Sequence, residues 1–110
     1  LSTEEFIAAA MDHALGTETG DFRITNKAYD RILAAREQLR VLPDGGRGCL
    51  REMLSNPEPG VRLWSACYLL PTDPVEAEST LVSLAQEKGL VGFDAEMTLK
   101  EWRAGRLTFT

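Results

Sequence analysis

Residues able to do chemistry are few in this chain and widely spaced. Asp94 and Glu101 stand seven residues apart, so a helix would carry both carboxylates on one face, two turns apart. Paired carboxylates act as general acid and base, or as metal ligands, where a pocket raises the pKa of one of them. No nucleophile–base pair accompanies them, because the single histidine, His13, follows Asp12 and is far from both in sequence. Cys49 and Cys67 have no metal-ligand spacing with it. The run Pro43-Asp44-Gly45-Gly46-Arg47-Gly48 precedes a helix, a setting in which backbone N–H groups can cradle phosphate. It lacks the Walker spacing with its Lys-Ser/Thr ending, and it lacks the dinucleotide pattern. It reads as a loop between hairpins. No catalytic, cofactor-binding or metal-binding residue is therefore assigned, and a non-enzyme without cofactor is expected. The alternative is a small enzyme or metal-dependent protein using Asp94 and Glu101.

A different grouping suits binding. Asp94, Glu96 and Glu101 fall close to Trp102, and a large aromatic beside acids can anchor a basic protein partner. The plainer reading of the same residues packs Trp102 under the C-terminal tail and leaves the acids solvated.

Composition narrows the field. The chain has 110 residues, of which 44% are hydrophobic and 26% charged, the balance of a soluble globular protein rather than a disordered one. That length suits one domain, residues 1–110, able to bury roughly two-thirds of its unfolded surface. The formal net charge is −5 and no basic block interrupts the acidity, which argues against nucleic acid, whose phosphates demand Lys and Arg. A protein partner is the expectation. No apolar run is long enough to cross a membrane, and no signal-peptide pattern opens the chain, which begins on Leu1. Two cysteines on apolar helix faces read as buried free thiols in a reducing cytoplasm.

The element that must organise everything is Asn56–Leu70, NPEPGVRLWSACYLL. A breaker-rich turn leads into a helix with Val61, Trp64 and Tyr68 on one side and Leu63, Cys67 and Leu70 on the other. Only Arg62 and Ser65 leave a polar strip. A helix apolar nearly all round belongs inside a protein, so Trp64 is expected among the most buried residues.

Around it, Ser2–Leu15 reads as a first helix with a Ser2/Glu5 capping box and a buried stripe of Phe6, Ile7, Ala10, Met11 and Ala14. Gly16 and Gly20 are expected to end it in a loop. Thr25–Arg40 is a second helix, buried through Ala28, Ile32, Ala35 and Leu39, with Lys27, Asp30, Arg31 and Glu37 facing away. Arg47–Ser55 is a short third helix, stopped by Asn56-Pro57. Asp73-Pro74-Val75-Glu76 starts a fifth helix with an N-cap acid and proline at its first position. It continues to Lys88, with Gly89 as its cap. The sixth helix, Gly92–Ala104, has two apolar stripes, Phe93/Met97/Ala104 and Ala95/Leu99/Trp102. The tail Leu107-Thr108-Phe109-Thr110 alternates like a strand. Six helices and no strand pair predict an all-α fold of three antiparallel helix hairpins.

The last two hairpins look alike at a period in the thirties, as stacked helical repeats do. Asn56, Val61-Arg62, Ala66 and Leu69 resemble a HEAT-type repeat. In that motif a turn amide precedes a Val-Arg pair, and an alanine sits where the helices touch. The resemblance implies a HEAT/armadillo-like α–α superhelix with Val61 and Ala66 in the core. It also places Arg62 in a polar ladder, but puts Asp94 where the family usually has Arg, so a direct Arg62–Asp94 pair is expected, with Glu101 the second choice. More closely, VRLWSACYLLPTDPVEAE followed by GLVGFDAEMTLKEWRAG is similar to a small bacterial all-helical family of unassigned function, over about residues 49–107. That family supplies no catalytic residues. Helical proteins of this kind also occur as immunity partners of bacterial toxins, an association rather than a chemistry.

Overall fold

A computed structural model describes residues 2–107, apart from the side chain of Ser2. It contains six α-helices in the order α1 (Ser2–Thr19), α2 (Phe22–Arg40), α3 (Arg47–Met53), α4 (Pro59–Leu69), α5 (Pro74–Ala85) and α6 (Leu90–Arg103). Among the described residues no strand occurs and no helix is long and apolar enough to cross a membrane. The Ser2 half of the capping box and most of the alternating tail, Thr108-Phe109-Thr110, lie outside the described residues.

α1 runs four residues past the expected end at Leu15, because Gly16 serves as a contact and not as a breaker. A Cβ at Gly16 would come within 2.8 Å of Thr25 Cγ2 and 2.9 Å of Thr25 N on α2, so its bare backbone lets the two helices cross closely. Only Gly20 and Asp21 separate α1 from α2. Asp21 is the N-cap, its carboxylate accepting the Arg23 N–H at 3.0 Å, which starts α2 at Phe22, three residues before the expected Thr25. The expected stripe of Ala28, Ile32, Ala35 and Leu39 is the buried one. Arg31, expected to face away, instead bridges to α1, with Nε 2.7 Å from Glu5 Oε1 and Nη1 2.6 Å from Asp12 Oδ2.

α4 is the hub, packing against α1, α3, α5 and α6, while α1 also reaches α6. Its entry is tight: a Cβ at Gly60 would meet Ala14 Cβ at 2.7 Å and the Ala10 carbonyl oxygen at 2.9 Å. Phe6, Ile32, Leu39, Leu50, Leu69, Leu81 and Leu84 are fully buried and belong to one continuous core.

Two carboxylates tie the hairpins together. Asp73 sits at the N-cap position of α5 without capping it. It accepts instead from Arg47 Nε at 2.7 Å, Arg47 Nη2 at 3.0 Å and Arg51 Nη1 at 3.1 Å, all from α3. Glu18, near the end of α1, accepts from the backbone N–H groups of Leu90 and Val91 at 3.0 and 3.2 Å. The first turn of α6 is thus capped from the other end of the chain, where an acid is favoured by orphan donors and by the helix dipole.

Candidate functional site: an aromatic groove along α4

α4 is covered on one side only. Val61, Ser65, Ala66 and Leu69 are buried. Trp64, Cys67 and Tyr68 are only partly so and pack against the edge of the core. The expectations for Trp64 and Ser65 are therefore reversed. Ser65 is fully buried and satisfies its hydroxyl by donating to the Arg62 carbonyl at 3.2 Å. Trp64 is half-buried because no helix lies across it.

A groove of two joined sections, each holding about 380 Å³, follows this uncovered face. Both sections share Tyr29, Trp64, Cys67, Thr98 and Leu107. One runs towards Leu33, Arg36 and Arg40 of α2; the other runs towards His13 of α1 and Asp94, Met97 and Glu101 of α6. Trp64 stands at the junction. His13 meets it edge-on at 5.0 Å between ring centroids, Tyr29 lies 5.9 Å away and Tyr68 6.1 Å. Offset and edge-on rings at these separations attract one another, so the aromatic wall is partly pre-ordered. Tyr29 remains 44% exposed and Leu33 39%, which leaves apolar surface available to a ligand.

The two ends carry opposite charge. At one end the Arg36 guanidinium lies 5.4 Å from the Tyr68 ring centroid, and its Nη1 donates to the Gly45 carbonyl at 2.8 Å. Burial, then the neighbouring Arg40, lowers the pKa of Arg36. At the other end burial raises the pKa of Asp94, opposed by His13 and reinforced by Glu18. Burial lowers that of His13, against the pull of Asp94, so neutral imidazole is favoured there.

Nucleophilic chemistry is poorly served. Cys67 Sγ lies 4.0 Å from Thr98 Oγ1, and burial pushes its thiol up to about 12, whereas reaction requires the thiolate. Burial likewise pushes the Tyr68 phenol up to about 12. Both cysteines are free. Among the described residues no group of three or more His, Cys, Asp or Glu side chains could hold a metal ion.

The residues singled out in the sequence do not form one patch. Asp94 and Glu101 do line the same end of the groove. Glu101, however, accepts from Arg106 Nε and Nη2 at 2.9 and 3.1 Å, and this bond holds its carboxyl below the ordinary glutamate value. Glu96 is exposed and does not line the groove. Trp102 turns inward and packs on the core beside the buried Ala95 and Leu99, which leaves Phe93 56% and Met97 38% exposed on the other stripe.

The Arg62–Asp94 pair is not formed. Arg62 Nη1 instead lies 3.5 Å from Glu87 Oε2, and Arg62 Nε is covered without an acceptor. The cause is the orientation of α6. With Ala95 and Leu99 facing the core, Asp94 is turned about 100° round the helix towards His13, while Glu87 in the turn after α5 reaches Arg62. A carboxylate does hold Arg62, but from a different segment. Of the groove residues, Tyr29 is one that periodicity alone does not single out, His13 stands out in the sequence only as a histidine without a catalytic neighbour, and Arg36, paired in sequence with Arg40, reads there as solvated surface. The available signal was the spacing of Tyr29, Leu33 and Arg36, which flank the buried stripe of α2 at helical intervals.

No protein-family model matches the chain, and no curated protein matches it. A solved structure does: the protein RPA1889 from Rhodopseudomonas palustris CGA009 covers 99% of this chain, and 91% of its own, with a TM-score of 0.84 and 19% sequence identity. At that identity the likeness shows the six-helix all-α fold, in a bacterial protein.

Proposed function

We propose that this chain is a non-catalytic protein-interaction module that receives its partner in the groove along α4. The observation that carries this reading is Trp64. It is a large aromatic in the middle of an apolar hub helix, left half-open between Tyr29, Tyr68 and His13. Aromatic residues that a partner encloses completely dominate interface energetics. The order of hairpins, α3 with α4 and α5 with α6, supports a HEAT-like stack, drawn closed by the contact of α1 with both α4 and α6. Two free thiols support a reducing, cytoplasmic setting. The partner is taken to be a bacterial toxin domain, with this chain as its immunity protein, on the association of helical proteins of this kind with toxins. The enzyme alternative has the raised pKa of Asp94 in its favour, but Glu101 is committed to Arg106 and Cys67 is held as a thiol.

The test is co-expression with the product of the adjacent gene, followed by co-purification of wild type and of Trp64→Glu. The expected outcome is a stable complex that Trp64→Glu abolishes while the variant stays folded. A complex that survives Trp64→Glu undiminished would remove the groove as its interface.

A further inference from the structure

Arg36 is set apart from every other arginine in the chain. Each of the others has a carboxylate within ion-pair distance. Arg36 has none among the described residues. It is partly buried, lies against the Tyr68 ring, spends Nη1 on a neutral carbonyl and has its Nε covered without an acceptor, so that Nη2 is the donor left for a ligand. Half-burying a cation without a counter-ion is unfavourable, and a guanidinium of fixed, planar geometry is suited to a carboxylate above other acceptors. Arg40, beside it at the same end of the groove, lies 3.5 Å from Glu37, so these two charges offset each other and leave Arg36 as the cation of that end without an ion pair.

Resting on the reading of the groove as a partner-binding surface, we infer that Arg36 is the receptor for an acidic side chain of the protein partner, with a large apolar side chain of the same segment seated against Tyr29 and Trp64. An extended segment supplies both groups from positions two apart, since side chains at i and i+2 point the same way. The partner motif is therefore an aromatic or large aliphatic residue and a Glu or Asp separated by one residue. The charge then missing from Arg36 arrives with the ligand. Discrimination follows as well, because a segment with an amide in place of the carboxylate leaves the guanidinium as poorly paired as before.

Two capped peptides serve as probes, acetyl-Phe-Ser-Glu-amide and acetyl-Phe-Ser-Gln-amide, titrated to millimolar concentration into the isotope-labelled whole chain. The Arg36 Nε–H and the Trp64 indole N–H are followed by NMR. The expected result is saturable movement of both signals with the Glu peptide, and binding weaker by about tenfold with the Gln peptide, as a lost charge-assisted hydrogen bond implies. Equal responses of Trp64 to the two peptides, with Arg36 unmoved, would overturn the carboxylate assignment and leave the groove standing as a binding surface. No response of Trp64 to either peptide would overturn the assignment together with the groove reading. Arg36→Gln, which removes the charge, is expected to lose most of the discrimination; full discrimination in that variant contradicts the assignment.

Discussion

The two faces of α4 are built from similar residues and have opposite fates. Val61, Ala66 and Leu69 are closed over by neighbouring helices, and the hydroxyl of Ser65 is shut in with them. Trp64, Cys67 and Tyr68, an arc further round, look into a groove walled by α2 and α6. What separates them is coverage rather than hydrophobicity. A tryptophan, two tyrosines and a histidine therefore gather around a groove and not inside the core, which is why the proposed function is placed on this face. The same contrast appears between two aspartates. Asp73 is buried and saturated by Arg47 and Arg51; Asp94 is half-buried at the groove and has no ion pair among the described residues.

The sharpest way to break the contrast is at its buried face. Leu69→Ala removes a fully enclosed side chain and is expected to cost roughly 3–5 kcal/mol, read from urea unfolding. Trp64→Ala, on the open face, is expected to cost about 2 kcal/mol, near half the loss of an enclosed tryptophan. Equal losses at the two positions would erase the distinction. Asp73→Asn removes the ion pairs that Arg47 and Arg51 of α3 make with the start of α5, leaving Arg51 only Glu76, and should lower the thermal midpoint by several degrees. Glu18→Gln weakens the distant cap of α6, and a loss of about 0.5–1 kcal/mol is expected.

The smallest effect is the most telling for the aspartates, because its sign differs between them. The carboxyl of Asp73 is held below its ordinary value, chiefly by hydrogen bonds from Arg47. Its contribution is complete above the unfolded-state pKa and is lost as pH falls through the folded one. The carboxyl of Asp94 is raised by burial, so its ionised form opposes folding above its folded pKa, and that cost disappears below the unfolded one. Asp94→Asn should therefore gain a little stability at neutral pH and nothing in acid, whereas Asp73→Asn should lose stability at neutral pH and little in acid. Unfolding curves at both pH values decide it. Matching signs for the two variants would show that burial does not set Asp94 apart.

Much of the fold is legible in the sequence where helical periodicity has a single solution. Ala28, Ile32, Ala35 and Leu39 occupy one narrow arc of α2, and only that arc can be buried. Periodicity has no such force in α4, where nearly every arc is apolar. Which side is covered depends on where α1, α3 and α5 land, so Trp64 and Ser65 exchange their expected places. Gly16 misleads for a related reason. A glycine that breaks helices in isolation is retained inside α1 because Thr25 of another helix must approach it. The joining of His13 to Asp94 and of Glu18 to Leu90 rests on α1 reaching α6, a contact between opposite ends of the chain that no local pattern encodes. Asp94 and Glu101 are legible as one helical face; that Arg106 occupies Glu101 is not.

Chemical-shift mapping of the labelled chain with the adjacent-gene product tests the central claim most directly. Binding in the groove predicts that the largest changes fall on Tyr29, Trp64 and Tyr68, while Glu96 and the inward-facing Trp102 stay nearly still. Largest changes at Glu96 and Trp102, with Trp64 unmoved, would contradict the account.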